Sequence, residues 1–153
     1  MSKTWLGVHV AGDAVTIVCA AVDHTGPITI LADETWKLQS GDRSKAFRTM
    51  YTRLADYANE QKIDQVVIKE SAISLGGMKK AHLQAAELRG VTICALASAC
   101  DVKQVAKAAI SRNFGERKAD EYIKDDGFWK DNLTGAPMRS GSREAAMLIL
   151  ASR

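Results

Sequence analysis

Three side chains that can bind a metal ion or transfer a proton stand at the boundaries of predicted secondary structure. His9 lies in the apolar run that opens the chain, Glu70 ends a second apolar run, and Glu144 begins the last one. One imidazole and two carboxylates are a reasonable ligand set for a single transition-metal ion such as Mn²⁺. His9, Glu70 and Glu144 are therefore the candidate catalytic and metal-binding residues, provided that the fold brings them together.

Each of these residues also has a structural interpretation that needs no chemistry. A histidine in a central strand commonly serves as a hydrogen-bonded core residue, and Glu70 would then be its partner. A carboxylate such as Glu144 in the first turn of a helix is favoured by the helix dipole alone. The positions that the secondary-structure elements give these three residues in the fold distinguish between the two interpretations.

The pattern of apolar residues predicts elements in the order βββαβαβα. Three strands joined by tight turns come first, at 4–10, 14–23 and 28–38. Helices and strands then alternate, with helices at 43–60, 77–89, 99–110 and 142–152, strands at 64–70 and 91–97, and a charged, partly helical stretch around 116–129. We expect an α/β fold with a mixed five-stranded sheet, three antiparallel strands followed by parallel ones, flanked by helices.

The composition is that of an ordinary globular chain. Its 153 residues suit a single domain over 1–153, with 46% hydrophobic and 25% charged residues. No apolar run approaches the roughly 20 residues that span a bilayer, so we expect no membrane association and a cytoplasmic location. Three scattered cysteines support neither a disulfide framework nor a zinc site.

Basic residues are more frequent in the second half of the chain. The net charge is +3 overall, and residues 79–153 carry an excess of positive charge. Four lysines are candidate contacts to nucleic-acid phosphates: Lys79, Lys80, Lys103 and Lys107. Lysines that contact phosphates give binding that is independent of base sequence and sensitive to salt.

Several segments match the motifs of one nuclease family in part. The run from Leu6 to Gly12 is similar to an opening strand that reads Ile-Gly-Ile-Asp-Pro-Gly, and Val67 to Glu70 is similar to a fourth strand that ends in glutamate. Residues 97–103 resemble a Pro-Ser-x-x-Val-Lys segment without its proline, and Glu144 to Leu148 resembles the closing helix. The sequence thus resembles the RuvC-type Holliday-junction resolvases, a branch of the ribonuclease-H-like superfamily.

This resemblance implies a ribonuclease-H-like fold whose active site has changed. The family uses four acids to hold two Mg²⁺ ions, but here His9 and Gly141 stand at two of the four positions. An imidazole cannot bridge two metal ions as a carboxylate does. The resemblance therefore implies a degraded nuclease site that acts by binding branched or structured nucleic acid or a protein partner, in a homodimer. The alternative is an active nuclease that uses Mn²⁺ or Mg²⁺ at an altered site of His9, Glu70 and Glu144.

A third class, a small actin-like or sugar-kinase-like fragment, requires a glycine-rich phosphate loop and a second domain, and the sequence has neither. In the ribonuclease-H-like fold the first and fourth strands are neighbours. We therefore predict that His9 and Glu70 lie close together beneath the last helix. A charge-assisted hydrogen bond between them would favour the imidazolium form of His9, which would offset repulsion between Glu70 and Glu144.

Overall fold

A six-stranded mixed sheet forms the centre of the computed structural model, which describes residues 2–73 and 75–153. Met1 and Ser74 lie outside the described residues. The strand order is β5-β4-β1-β2-β3-β6, where β1 is Lys3–Ala11, β2 is Ala14–Val22, β3 is Ile28–Lys37, β4 is Gln65–Lys69, β5 is Asp101–Val105 and β6 is Leu133–Gly135. Strands β1, β2 and β3 pair antiparallel, whereas β4 is parallel to β1 and to β5. This arrangement confirms the predicted fold class.

Helices cover both faces of this sheet. Their bounds are α1 Arg43–Glu60, α2 Lys80–Ala97, α3 Lys107–Asn113, α4 Ala119–Ile123, α5 Asp126–Asn132 and α6 Arg143–Ser152, with one 3₁₀ turn at Ser140–Ser142. The start of α1 follows the prediction, because the Asp42 carboxylate accepts a hydrogen bond from the Lys45 backbone amide at 3.1 Å. None of the helices in the described part of the chain is long and apolar enough to cross a membrane.

The two faces of the sheet carry separate hydrophobic clusters. Side chains alternate along a strand, so Leu6, Val8 and Val10 of β1 pack on one face with residues of α1 and α2. Residues of α6 fill the other face, where Ala145 to Ile149 are completely buried. Gly7 and His9 of β1 alternate with the first set and therefore belong to the α6 face.

The segment 91–97 is helical, and the predicted strand there is wrong. It continues α2, whose buried residues Leu88, Thr92, Ala95 and Leu96 have helical spacing. The β-branched residues at 91–93 suggest a strand, but packing of this face on the sheet outweighs that local preference. Thr92 adapts by donating its hydroxyl hydrogen bond to the Leu88 carbonyl at 2.8 Å.

The fifth strand consequently lies further along the chain, at Asp101–Val105, where we predicted the helix 99–110. Ser98 ends α2 instead of beginning a helix. The sheet also has a sixth strand, Leu133–Gly135, which is parallel to β3. Three residues are too few to show a strand pattern in a sequence, so this edge strand could not be predicted.

Candidate functional site

The pairing of β1 with β4 places Lys69 beside His9. These strands are parallel, and Val8 pairs with Ile68 at the carboxyl end of their ladder. The residues that follow, His9 and Lys69, therefore lie side by side and point to the same face of the sheet. The first candidate site residue thus has an ammonium group, and not a carboxylate, as its neighbour on β4.

Helix α6 crosses this part of the sheet at very short range. A β-carbon added to Gly7 would stand 2.1 Å from the Ala145 carbonyl oxygen, so only glycine permits this approach. The close contact fixes the first turn of α6 above the end of β1. Glu144, the residue before Ala145, is thereby held over His9 and Lys69.

An ion pair closes the space between the strands and the helix. The Lys69 Nζ lies 2.6 Å from the Glu144 Oε1, and these side chains are only 25% and 21% exposed. Lys107, the first residue of α3, places its Nζ 3.9 Å from the same oxygen and 2.6 Å from the Asp120 Oδ1. The site is therefore a network of two ammonium groups and two carboxylates at the carboxyl ends of β1 and β4.

Burial lowers the pKa of His9 below its ordinary value of 6.5. The Glu144 carboxylate opposes this effect, whereas the positive charges of Lys69, Arg89 and Lys107 add to it. The imidazole is therefore neutral at pH 7, and the imidazolium predicted from the sequence is not favoured. The positive charge at this site comes from the lysines.

A titration of His9 followed by NMR should give a pKa below 6.5. Between that pKa and 6.5 the unfolded chain binds more protons than the folded protein, so the free energy of unfolding should fall as the pH falls through this window. His9→Gln should remove that contribution and flatten the pH dependence of unfolding there. An imidazole pKa above 6.5 would contradict this account and restore the imidazolium interpretation.

The pKa of Glu144 is lowered although its burial acts to raise it, because the hydrogen bond and charge of Lys69 outweigh the burial, with His9 and Lys107 contributing. Glu144 is therefore ionised at neutral pH. A folded-state pKa below the ordinary 4.5 contributes stability above pH 4.5, and that contribution is lost as the pH falls through the folded-state value. Lys69 and Glu144 thus behave as a partly buried ion pair.

Glu70 does not take part in this network. Val66 and Ile68 pack on the α1 and α2 face, whereas Val67 and Lys69 face α6, so the next position in the alternation directs Glu70 away from α6. The alternation of side chains along β4 continues to Glu70, because the Glu70 backbone amide still donates a hydrogen bond to the Val105 carbonyl of β5 at 2.9 Å. The predicted pairing of Glu70 with His9 is not formed, and the structure does not bring His9, Glu70 and Glu144 together.

Arg89 occupies the side of the sheet toward which Glu70 is directed. From α2 its guanidinium donates to the Val10 carbonyl at 2.9 Å and to the Ser71 hydroxyl. A groove of about 400 Å³ runs beside it, lined among others by Lys69, Met78 and His82. Arg89 therefore ties the end of β1 to the loop after β4 and holds the wall of the groove next to the site.

The donor set does not fit a metal ion. Within residues 2–73 and 75–153, no three histidine, cysteine, aspartate or glutamate side chains are grouped closely enough to hold one. The Lys69 ammonium contacts the Glu144 oxygen that would otherwise be available as a ligand. Mg²⁺ and Mn²⁺ both require several oxygen or imidazole ligands, which the described residues around Glu144 do not supply.

The four predicted phosphate-binding lysines are spread over three elements. Lys79 and Lys80 are exposed at the start of α2, and Lys103 is exposed on the edge strand β5. Only Lys107 reaches the network around Glu144. The four are thus separate contact points and not one cluster.

Lys69 is the site residue that the sequence analysis missed. Val66, Val67 and Ile68 are all completely buried, so the sequence gives no alternation that would tell which of Lys69 and Glu70 faces the last helix. The register of β4 against β1, which places Val67 beside Gly7, determines that Lys69 faces α6, and this register is a tertiary contact. When a lysine and a carboxylate are adjacent at the end of a buried strand, the sequence therefore does not show which of the two faces a given side of the sheet.

Comparisons of this chain with known proteins agree with its architecture. The sequence matches no protein-family model and no curated protein at a significant level. A Thermus thermophilus RuvC structure is similar with a TM-score of 0.74 and 15% sequence identity, covering 97% of this chain and 92% of that chain. The same protein in complex with a Holliday junction gives a TM-score of 0.73 at 13% identity, with the same coverage.

The yeast mitochondrial Holliday junction resolvase Ydc2 is similar with a TM-score of 0.64 and 10% identity, covering 97% of this chain and 78% of that chain. Similarity at these identities concerns the backbone and not the chemistry. It extends over nearly the whole chain, from the antiparallel strands to α6. This protein therefore has the ribonuclease-H-like fold of the RuvC structures.

Proposed function

We propose that this protein binds branched or structured nucleic acid and does not cleave it. The observation that carries the proposal is the ion pair of Lys69 with Glu144, 2.6 Å apart at the carboxyl ends of β1 and β4. A nuclease that uses metal ions needs carboxylates free to hold them on both sides of a phosphate. Here the ammonium group of Lys69 supplies positive charge in the place where a metal ion would have to bind Glu144.

The nucleic acid is held through its phosphates. Lys79, Lys80 and Lys103 are exposed, and Lys107 lies within the site. Such contacts position a backbone without reading bases, so shape and not sequence decides what binds. The similarity to a RuvC structure in complex with a Holliday junction makes a four-way DNA junction the first ligand to test.

The experiment measures binding and cleavage of a labelled four-way junction at low salt, in EDTA and then with Mg²⁺ or Mn²⁺. We expect equal affinity in EDTA and in either metal, a steep loss of affinity with salt, and no cleavage products. Lys79→Glu with Lys80→Glu should weaken binding to every sequence to the same extent. The matched control is Lys3→Glu with Lys62→Glu, because Lys3 begins β1 and Lys62 precedes β4, at the ends of these strands opposite the site.

Two outcomes would overturn the proposal. Metal-dependent cleavage that disappears in Glu144→Gln would show an active nuclease with an altered site. Absence of binding to junction, duplex and hairpin substrates at low salt would exclude nucleic acid as the ligand and leave a protein partner in its place.

We also propose that two copies of the chain pair through α2. Its half from Gly90 to Ala97 has no charged residue, although Gly90, Cys94 and Ala97 are exposed. A helix that is apolar on both faces is usually buried on both. The exposed face borders a groove of about 430 Å³ whose lining includes Phe47 and Tyr51 of α1, which offers a place for a partner helix.

Gly90→Arg should convert the dimer into a monomer, as measured by light scattering on a size-exclusion column. An added β-carbon at Gly90 meets no atom within 4 Å, so the arginine would disturb a partner without disturbing its own chain. Gly90→Ala is the matched control: it should stay dimeric and gain up to about 1 kcal/mol of stability from the better helix former. A wild-type protein that is monomeric at micromolar concentration would contradict this pairing.

A further inference from the structure

The outer part of the site network contains an exposed acid whose position the ion pair of Lys69 and Glu144 does not explain. The Asp120 Oδ1 lies 2.6 Å from the Lys107 Nζ, and the Asp120 side chain is 63% exposed. It belongs to α4, a helix of only five residues. Glu144, in contrast, is 21% exposed and lies on the inner side of the same lysine, 3.9 Å from its Nζ.

Two ammonium groups thus share one inner carboxylate. Glu144 is in contact with Lys69 and close to Lys107, and its single charge cannot neutralise both. The remaining positive charge is directed to the solvent side, where the Asp120 carboxylate binds. The hydrogen bond from Lys107 lowers the pKa of Asp120 against the opposing effect of burial, and the charges of Lys107, Lys124 and Lys69 add to this lowering. The carboxylate therefore marks a position that favours an anion.

We propose that Lys69 and Lys107 form a binding site for a nucleic-acid phosphate, and that the Asp120 carboxylate occupies this site in the free protein. The inference rests on the proposed function and adds an internal competitor to it. Phosphate and carboxylate oxygens make the same charge-assisted hydrogen bonds to an ammonium group. A phosphodiester that binds Lys107 must therefore displace Asp120.

Displacement of Asp120 is feasible because its side chain is mostly in solvent. An exposed ion pair contributes little to stability, so its exchange for a phosphate needs no unfolding of the core. Glu144 is too deeply placed to exchange in this way and keeps both ammonium groups in position. Asp120 thus weakens nucleic-acid binding without abolishing it, and it disfavours weakly binding anions.

The test compares dissociation constants for a four-way DNA junction at low salt in EDTA. Asp120→Asn should bind about threefold more tightly than wild type, the range expected for the loss of one exposed competing ion pair. Asp131→Asn is the matched control, since it removes one exposed negative charge elsewhere in the same half of the chain and should change affinity much less. Lys107→Gln should bind more weakly, and adding Asp120→Asn to it should give no further gain.

Equal affinities of Asp120→Asn and Asp131→Asn, with a wild type that binds, would overturn this inference and leave the proposed function standing. A second measurement does not depend on nucleic acid. Titration with inorganic phosphate should shift the backbone amide signals of Lys107 and Asp120 in NMR spectra, at lower phosphate concentration in Asp120→Asn than in wild type. Absence of these shifts in both proteins would show that no anion site exists, whether or not nucleic acid binds elsewhere.

Discussion

Replacement of Lys69 by methionine is expected to lower the free energy of unfolding by about 2 kcal/mol at pH 7. The substitution keeps the length and apolar part of the side chain but leaves the Glu144 carboxylate, which is only 21% exposed, without its nearest cation. Loss of one partner of a partly buried ion pair is costly because the other charge remains desolvated. Urea denaturation followed by circular dichroism would measure the difference.

Two comparisons identify the cause of this effect. Glu144→Gln in the Lys69→Met background should restore most of the lost stability, because no charge is then left uncompensated. Lys45→Met, at an exposed position of α1, should change the free energy of unfolding by less than about 0.5 kcal/mol. The difference in unfolding free energy between Lys69→Met and wild type should become smaller at acid pH, where Glu144 becomes protonated. A deficit that is the same at pH 3 and pH 7 would show that packing and not charge is responsible.

Gly7→Ala should destabilise the protein by about 3 kcal/mol. Its β-carbon would stand 2.1 Å from the Ala145 carbonyl oxygen and 2.9 Å from the Ala145 carbonyl carbon, so α6 would have to move away from β1. Overpacking of a filled core typically costs about 1–3 kcal/mol, and here the nearest obstacle is the α6 backbone, which cannot rotate away as a side chain can. Displacement of α6 would also separate Glu144 from Lys69, so nucleic-acid binding should fall together with stability.

Gly141→Ala is the matched control for this substitution. Gly141 lies in the 3₁₀ turn that precedes α6, and a β-carbon there meets no atom within 4 Å. It should therefore leave both thermal unfolding and binding close to wild type. A Gly7→Ala protein as stable as Gly141→Ala would mean that α6 does not contact β1 as described.

The first three strands, α1 and α6 could be predicted because their signals are local. Gly12 and Gly26 have positive φ in the turns that join β1 to β2 and β2 to β3, and Asp42 caps the start of α1. Glu144 could likewise be placed in the first turn of the last helix, since Ala145 to Leu150 form an unbroken apolar run directly after it. Features of this kind depend on a few neighbouring residues and not on contacts between distant segments of the chain.

The identity of the ion pair could not be predicted because it depends on contacts between distant segments. Which of Lys69 and Glu70 faces α6 is decided by the register of β4 on β1, and a shift of one residue exchanges their faces. The extension of α2 through Val91 to Ile93 has the same origin, because packing against the sheet overrode a local strand preference. The sequence predicted a pair of His9 with Glu70, whereas the tertiary contacts instead form a pair of Lys69 with Glu144.

The most direct test of the account is a titration of the protein with Mn²⁺ followed by electron paramagnetic resonance, with Glu144→Gln as the reference. We predict that wild type and Glu144→Gln bind the same amount of Mn²⁺, because the Lys69 ammonium already occupies the position beside this carboxylate. Lys69→Glu, which places a second carboxylate next to His9 and Glu144, should gain one bound Mn²⁺ ion. Stoichiometric Mn²⁺ binding to wild type that is lost in Glu144→Gln would contradict the central claim that a lysine stands in the place of the metal.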